Sequence, residues 1–333
     1  MTRMNLILKT LVVVAGVLVC NAAGHAQQRT FVSATTGNDV NDCLRPTPCR
    51  NFQRGHDAVA DGGEVVALDS GGYGALSITK SVTITGVGYH AAATAIAPGA
   101  TAVLINAPGK TVILRDLTMT GGGTGDSGVL VANAVTVYIE RCVISRFAGA
   151  GIIYQTNNRL FVTDTVSRSN GYGLFVFTLG VGTARINVDR SRFQQNFFHG
   201  IHLDEESIEA SITNSIMSEN GSGGLLIFRT GPSAGNTRAN VAHSTAANNG
   251  GDGFAVGGPG ANELNIEYSV ARGNVGSGMT VQDGDIIRVS NSVSTNNGTG
   301  FNNGGGTFAS RGNNTVDGNG TNLVGVLSGL NVH

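Results

Sequence analysis

SITNSIMSENGSGGLLI, residues 211–227, is the stretch on which the fold turns. It reads as an apolar residue, two spacers, a serine, an asparagine five positions after that serine, and then a glycine-opened apolar run. Three other stretches repeat it in register: INVDRSRFQQNFFHGIHL (186–203), VAHSTAANNGGDGFAV (241–256) and IEYSVARGNVGSGMTV (266–281). With the serine as position zero, the column runs Leu117, Cys142, Thr165, Ser191, Ser215, Ser244, Ser269, Ser292 and Asn314, at intervals of 22 to 29 residues. Self-similarity at such a period marks a repeat architecture, in which each unit buries its apolar face against the next.

Two apolar columns stand three and five residues before the serine, as in Val188 and Ile186 or Val241 and Ala239. Columns two apart define the buried face of a strand. After the glycine, Val129/Val131, Ile152/Tyr154, Leu174/Val176, Ile201/Leu203, Leu225/Ile227, Phe254/Val256 and Met279/Val281 give a second buried face with the same period. A unit near 25 residues is too short for a propeller blade of roughly 40 and accommodates three short strands and three turns. Stacked on their equivalents about 4.8 Å away, these strands make parallel sheets. The expectation is an all-β parallel solenoid of about ten coils, roughly 50 Å long at that spacing. The leucine-rich pattern L-x-x-L-x-L-x-x-N is missing, and columns that hold register over so many units disfavour a sandwich.

Position five after the serine is Asn170, Asn196, Asn220, Asn249, Asn274, Asn297 and Asn319. A solenoid corner leaves backbone groups without ladder partners, and an inward amide satisfies them while bonding to the amides above and below. The rival reading is an amide row that binds a ligand. Cys142 falls in the serine column and reads as a small buried residue, not a nucleophile.

Composition agrees with a turn-rich β protein. The 333 residues are 41% hydrophobic, enough for a core, and only 13% charged, while Gly fills 50 positions. A net charge of -1 with three lysines (Lys9, Lys80, Lys110) leaves no basic footprint for a phosphate backbone, so no nucleic acid partner is expected. Residues 1–26 carry Arg3 and Lys9, the apolar run Leu11 to Val19, and small residues up to Ala26, which is the pattern of a cleaved secretory signal. The apolar run is too short for a spanning anchor, and bulky Val19 before Cys20 argues against a lipid anchor. The mature chain then starts at Gln27, secreted or periplasmic. In an oxidising compartment Cys43 and Cys49, six apart around Pro46 and Pro48, read as one disulfide closing a short loop; no neighbouring His or Cys completes a metal set.

With these residues in view, the sequence resembles the bacterial exported right-handed parallel β-helix repeat proteins of the pectate-lyase-like superfamily. The repeats carry the resemblance. So does the opening TFVSATTGNDVNDC (30–43) followed by PCRNFQRGHDAVADGGEVVALDSGGYGALSITKSVTITG (48–86). The resemblance implies a capping helix over Phe52 to Ala60, ended by Gly62-Gly63, with Glu64 to Leu68, Ala75 to Thr79 and Ser81 to Thr85 as the first strands. Phe52, His56, Val59 and Ala60 fall on one helical face, in keeping with that. The organisation expected is a signal at 1–26, a leader with disulfide loop and capping helix at 27–62, and the β-helix at 63–333. Characterised relatives often cleave or epimerise acidic polysaccharides. Here the paired-Asp motifs of the polygalacturonase branch and the lyase-type Asp-His strand motif are missing, and the Ca²⁺ repeat Gly-Gly-x-Gly-x-Asp is not met by Gly122 to Asp126 or Gly250 to Asp252.

Two surface features remain. One residue before the serine column stand Asp116, Arg141, Asp164, Arg190, Asn214, His243 and Tyr268; their alternating signs read as a cross-coil ion ladder, weak at an exposed site. On the glycine-opened strand, alternation turns Phe175, Phe177, His202, Asp204 and Phe228 outward, where polar residues are expected. The longest intervals arise beside them, from loops 178–183 and 229–237, with Asp204-Glu205-Glu206 between. The expectation is a groove that binds a ligand through Phe175, Phe177, His202, Asp204 and Phe228; the competing reading is that the loops cover the Phe residues as a satellite apolar cluster. The function expected is an exported, non-catalytic protein binding a polysaccharide or cell-surface partner, as a monomer or homotrimer, with no cofactor. The alternative is a polysaccharide lyase or glycoside hydrolase on an acidic polysaccharide, with His202 as base and Asp204 or Glu205 as acid or Ca²⁺ ligand.

Overall fold

The computed structural model describes residues 27–177, 182–204, 207–228, 236–282 and 284–329; the expected signal at 1–26 lies outside them. The chain winds as a parallel β-helix of three sheets with 13, 11 and 11 strands, every neighbouring pair of strands parallel and one coil apart in sequence. This agrees with the coil number read from the repeat. Sheet A is the 13-stranded one and contains Thr183–Asp189, Ser207–Thr213 and Arg238–Ala242. Sheet B is built mostly of three-residue strands such as Arg192–Gln194. Sheet C contains the glycine-opened strands, such as Tyr172–Phe177 and Ile201–Asp204.

Both sets of apolar columns point inward as the period requires: Ile186, Val188, Ile212 and Val241 of sheet A and Leu174, Val176, Leu203 and Ile227 of sheet C are almost wholly buried. Sheet B supplies one inward residue per coil, including Phe193, Met217 and Ala246. Burial at this density, about 25 cal/mol per Å² of apolar surface, is what holds the coils together laterally.

The corners account for the polar columns. Between sheets A and B the chain turns on a single left-handed residue: Asp116, Arg141, Asp164, Arg190, Asn214, His243, Tyr268 and Asn291 have φ of 45° to 56°. That conformation points their side chains out of the corner, which creates the charged column. Arg141 bonds Asp116 in bidentate fashion (2.7 and 2.9 Å), as Arg190 does Asp164 (2.8 and 3.0 Å). His243 stacks on Tyr268 with ring centroids 5.2 Å apart. The serine column lies just inside this corner and forms a ladder of its own, since the backbone N–H of Ser191 donates to Ser215 Oγ (3.2 Å) and that of Ser215 to Ser244 Oγ (3.1 Å). Cys142 sits at the N-terminal end of this ladder, its N–H bonded to Thr165 Oγ1 (3.2 Å). Burial pushes its thiol up to about 12.

The corner between sheets B and C carries the asparagines. The backbone N–H of Asn220 donates to Asn249 Oδ1 (3.0 Å), and so does its Nδ2 (3.0 Å), while Nδ2 also reaches the carbonyl of Phe193 (3.1 Å). The same bonding runs from Asn196 to Asn319, and the N–H of Phe147 takes the free end at Asn170 Oδ1 (3.0 Å). The glycine that follows is required by close approach: a Cβ on Gly173 would lie 2.4 Å from the carbonyl oxygen of Gly200 and 2.9 Å from Asn196 Nδ2.

The N-terminal end departs from expectation in two respects, the first being that the sheet opens with Gln27–Val32, inside the expected leader, and not with Glu64 to Leu68, and the second being the helix. The capping helix covers Phe52–Ala58, two residues shorter than expected, and Gly62-Gly63 does not end it. Val59 leaves the helix in an extended conformation (φ -74°, ψ 148°) and opens the strand Val59–Ala67, pairing with Gln27, so both glycines lie inside that strand. A β-branched residue beside an edge strand gains more from the sheet than from a last helical turn. Phe52 and His56 are buried as expected, and a Cβ on Gly55 would lie 2.7 Å from Val65 and 2.9 Å from Val32, which shows how closely the helix lies on the first coil. Cys43 and Cys49 are joined as a disulfide.

Candidate functional site

The expected patch on sheet C is assembled by register. Phe175 pairs with His202 and His202 with Leu226, while Phe177 pairs with Asp204. The rings stack: Phe175 on His202 at 5.2 Å and on Phe177 at 5.9 Å. Phe175, Phe177 and Phe228 are half-buried. The outward direction of His202 and Asp204 follows the alternation, but their exposure does not, at only 8% and 6%. Strand alternation settles which face a side chain leaves from and not what lies over that face, and here neighbouring rings close over the imidazole. Glu205 lies outside the described residues, as do 178–181 and 229–235 of the two flanking loops.

Three aromatic residues missed in the sequence extend this cluster toward the asparagine corner. Tyr172 stacks on Phe175 (5.0 Å) and on Phe198 (4.8 Å), and Phe197 meets Phe198 edge-on at 4.8 Å. Phe197 is 74% and Phe198 40% exposed. The signal was available, since all three follow a ladder asparagine by one or two residues. Two imidazoles lie beneath them with ring centroids 5.4 Å apart. His199 Nδ1 accepts the N–H of Gly223 (3.0 Å), whereas among the described residues neither ring nitrogen of His202 makes a well-formed hydrogen bond. Burial lowers both to about 4: at His199 the neighbouring imidazole adds to it and Asp252 opposes, and at His202 the backbone of Phe228 opposes. Both rings are therefore neutral at pH 7.

A second surface, unread in the sequence, lies on the outer face of sheet A. The residue four before the serine sits between the two inward columns and points out, giving the in-register row Tyr138, Phe161, Asn187, Ser211, Asn240, Asn265 and Arg288. Tyr138 and Phe161 stack at 4.8 Å with planes 11° apart. The rest of the row floors two adjoining depressions that share Asn240. One, of about 370 Å³, is lined by Arg185, Asn187, Glu209, Ser211 and Arg238; the other, of about 270 Å³, by Asn265, Glu267, Arg288, Ser290 and Arg311. In the sequence the two longest intervals fall just before the strands that carry Arg185 and Arg238, both of which line the first depression.

Hydrogen bonds fix this floor. Asn265 Nδ2 donates to Asn240 Oδ1 (2.9 Å), and Arg288 Nη1 to Glu263 (2.7 Å) and Asn265 Oδ1 (3.3 Å). Arg185 pairs with Glu209 (3.2 Å) and Arg238 with Glu263 (3.5 Å). The Arg288 hydrogen bond holds the Glu263 carboxyl below its ordinary value. Amides, hydroxyls and guanidinium groups at coil spacing present alternating donors and acceptors to a polyhydroxylated chain lying along the axis, and the stacked Tyr138–Phe161 pair offers an apolar ring face at one end. The lining residues include no histidine, lysine, tyrosine or cysteine. Among the described residues no group of three His, Cys, Asp or Glu is placed to hold a metal ion, and no helix is long and apolar enough to cross a membrane.

A family model described as "Right handed beta helix region" matches residues 67–237, more than half of the chain. No curated protein sequence matches. Among solved structures, the A-module of Azotobacter vinelandii mannuronan C-5 epimerase AlgE6 is similar, with a TM-score of 0.56 and 18% identity over 84% of this chain and 92% of that one. The AlgE4 A-module of the same organism gives a TM-score of 0.57 and 18% identity over 74% of this chain and 73% of that one. Pectate lyase Pel9A gives a TM-score of 0.50 and 17% identity over 85% and 74%. At such identities the likeness is one of fold.

Proposed function

This chain belongs to the family of right-handed β-helix regions, and from that premise we propose that it is an exported, non-catalytic glycan-binding protein that lays a polysaccharide along the outer face of sheet A. The observation that carries the reading is the continuous polar trough from Asn187 to Arg288. Its groups recur once per coil, about 4.8 Å apart, so a linear polymer meets similar donors and acceptors along its length. Solved relatives of the same fold include epimerases of mannuronan and a pectate lyase, which makes acidic polysaccharides the first ligands to try. The carboxylates of the trough are bonded to arginine, serine or asparagine, an arrangement suited to holding hydroxyls and less suited to moving protons.

The test is retention of alginate and polygalacturonate on immobilised protein, with the eluate assayed for shortened, unsaturated or epimerised product, with and without Ca²⁺. The expected result is retention without turnover, weakened about tenfold by Arg238→Gln with Asn240→Ala, a loss near 1.4 kcal/mol. Product formation overturns the non-catalytic reading.

The aromatic cluster on sheet C supports a second reading of where the glycan lies, because its rings run continuously to the exposed Phe197. On that reading Phe175, Phe177, His202, Asp204 and Phe228 belong to the binding surface, and Phe197→Ala with Phe175→Ala abolishes retention while Arg238→Gln with Asn240→Ala leaves it unchanged.

A further inference from the structure

At the N-terminal end the outer face of sheet A changes character. The first strand, Gln27–Val32, is the edge strand, and its backbone is occupied on the open side by the disulfide loop: Phe31 N–H donates to the Cys43 carbonyl (2.9 Å), and Cys49 N–H to the Phe31 carbonyl (3.0 Å). Register puts Phe31 beside Val66 and Arg29 beside Glu64. The result is a depression of about 330 Å³ with an apolar floor of Phe31, Val66 and Leu68 and a wall of Val87 and Tyr89. Arg45, carried by the disulfide loop, stands over the Phe31 ring with its guanidinium carbon 6.0 Å from the centroid.

The charges in this depression do not cancel. Arg29 is taken up by Glu64 (2.8 Å), whereas Arg45 has no ion pair among the described residues and its cation is held only by the face of Phe31. An anion of the right shape therefore meets an unneutralised guanidinium at the rim of an apolar slot. The floor also restricts the rest of the ligand. Val66, Leu68 and Val87 offer no partner to hydroxyl groups, so a sugar ring placed here loses hydrogen bonds to water without replacement. A flat apolar body fills the slot against Phe31 and Tyr89 at no such cost.

We infer that this depression is a binding site for a planar, apolar carboxylate, such as an aromatic acid, separate from the glycan trough: the body stacks over Phe31 and Tyr89 and the carboxylate is held by Arg45. The Cys43–Cys49 disulfide has a part in it, because it closes the loop that carries Arg45.

Calorimetric titration of the folded, oxidised chain with 4-hydroxycinnamate tests this, with cinnamyl alcohol and galacturonate as the two control ligands. The expected result is saturable binding of the acid, weakened at least tenfold in cinnamyl alcohol, which lacks the carboxylate, and in galacturonate, which lacks the flat apolar body. Arg45→Gln and Tyr89→Ala each weaken the acid at least fivefold, and Arg192→Gln, on sheet B, does not. Circular dichroism of each variant confirms the fold; both altered side chains are exposed, so it is retained. Reduction of the disulfide lowers the affinity as Arg45→Gln does. No binding at millimolar acid, binding unchanged in Arg45→Gln, or equal binding of cinnamyl alcohol overturns the assignment of Arg45. Equal binding of galacturonate overturns the ligand class.

Discussion

Replacing Asn249 with leucine measures what the asparagine ladder contributes. Asn249 Oδ1 accepts two hydrogen bonds, from the backbone N–H and from Nδ2 of Asn220 (both 3.0 Å), and its Nδ2 donates to the Met217 carbonyl (3.2 Å) and to Asn274 Oδ1 (2.8 Å). All four lie in a buried corner, with Asn249 itself 1% exposed. Leucine is close to asparagine in shape but makes none of these bonds. At about 1 kcal/mol net per bond the loss is about 4 kcal/mol, and the added apolar burial returns about 1–2 kcal/mol. The net destabilisation expected is about 2–3 kcal/mol, and Asn220→Leu should cost a similar amount. Asn236→Leu is the internal control, because Asn236 is exposed and accepts one long bond from Ala261 N–H (3.3 Å); it should stay within about 0.5 kcal/mol. Urea melts followed by circular dichroism give the comparison, read as midpoints because repeat arrays need not unfold in one step. The double variant Asn220→Leu/Asn249→Leu should fall short of the sum, since the first change removes the Nδ2 donor, one of the two groups that the second leaves unpartnered. Equal shifts at 220, 249 and 236, or full additivity in the double variant, would refute the ladder.

Three further outcomes are expected. Stability should fall on acidification from pH 6.5 to 4: the folded-state values of His199 and His202 are depressed to about 4, so the stability they contribute is present above 6.5 and lost as pH falls toward 4, by at most about 3 kcal/mol for His202. His202→Phe, stacked in the same place, should flatten that limb in melting temperatures recorded across pH 4 to 8. The Cys142 thiol should resist a thiol reagent in the native chain and react only on unfolding, and the stability it contributes should decline as pH rises from about 9 toward 12; rapid native labelling would contradict its burial. Arg141→Gln should cost about 0.2–1 kcal/mol at low salt and less at high salt, because its pair with Asp116 is solvent-exposed; a loss of several kcal/mol that does not respond to salt would mean that the ion column bears on folding.

The period-25 pattern was enough to read the parallel β-helix, the two inward columns, the asparagine ladder and the ion pairs from the sequence, while the disulfide was read from the spacing of Cys43 and Cys49. The physical reason is that in-register stacking maps sequence period onto space, so residues sharing a column become neighbours one coil apart, and a column's chemistry is the chemistry of that row. The extent of the helix at Phe52–Ala58 was less legible, because Val59 chooses between a helical turn and a strand partner at Gln27 that is remote in sequence. The candidate sites show the same division. Alternation turned Phe175, His202 and Asp204 to the outer face of sheet C, but the rings of Tyr172 and Phe175, one coil away, stack on the His202 imidazole and help to bury it. The row from Tyr138 to Arg288 was present as the column four before the serine, yet nothing in a column says that it lies in a trough. Concavity comes from the joint course of five strands and the walls beside them, and charge neutralisation from which arginine reaches which carboxylate, and both of these only the tertiary structure decides.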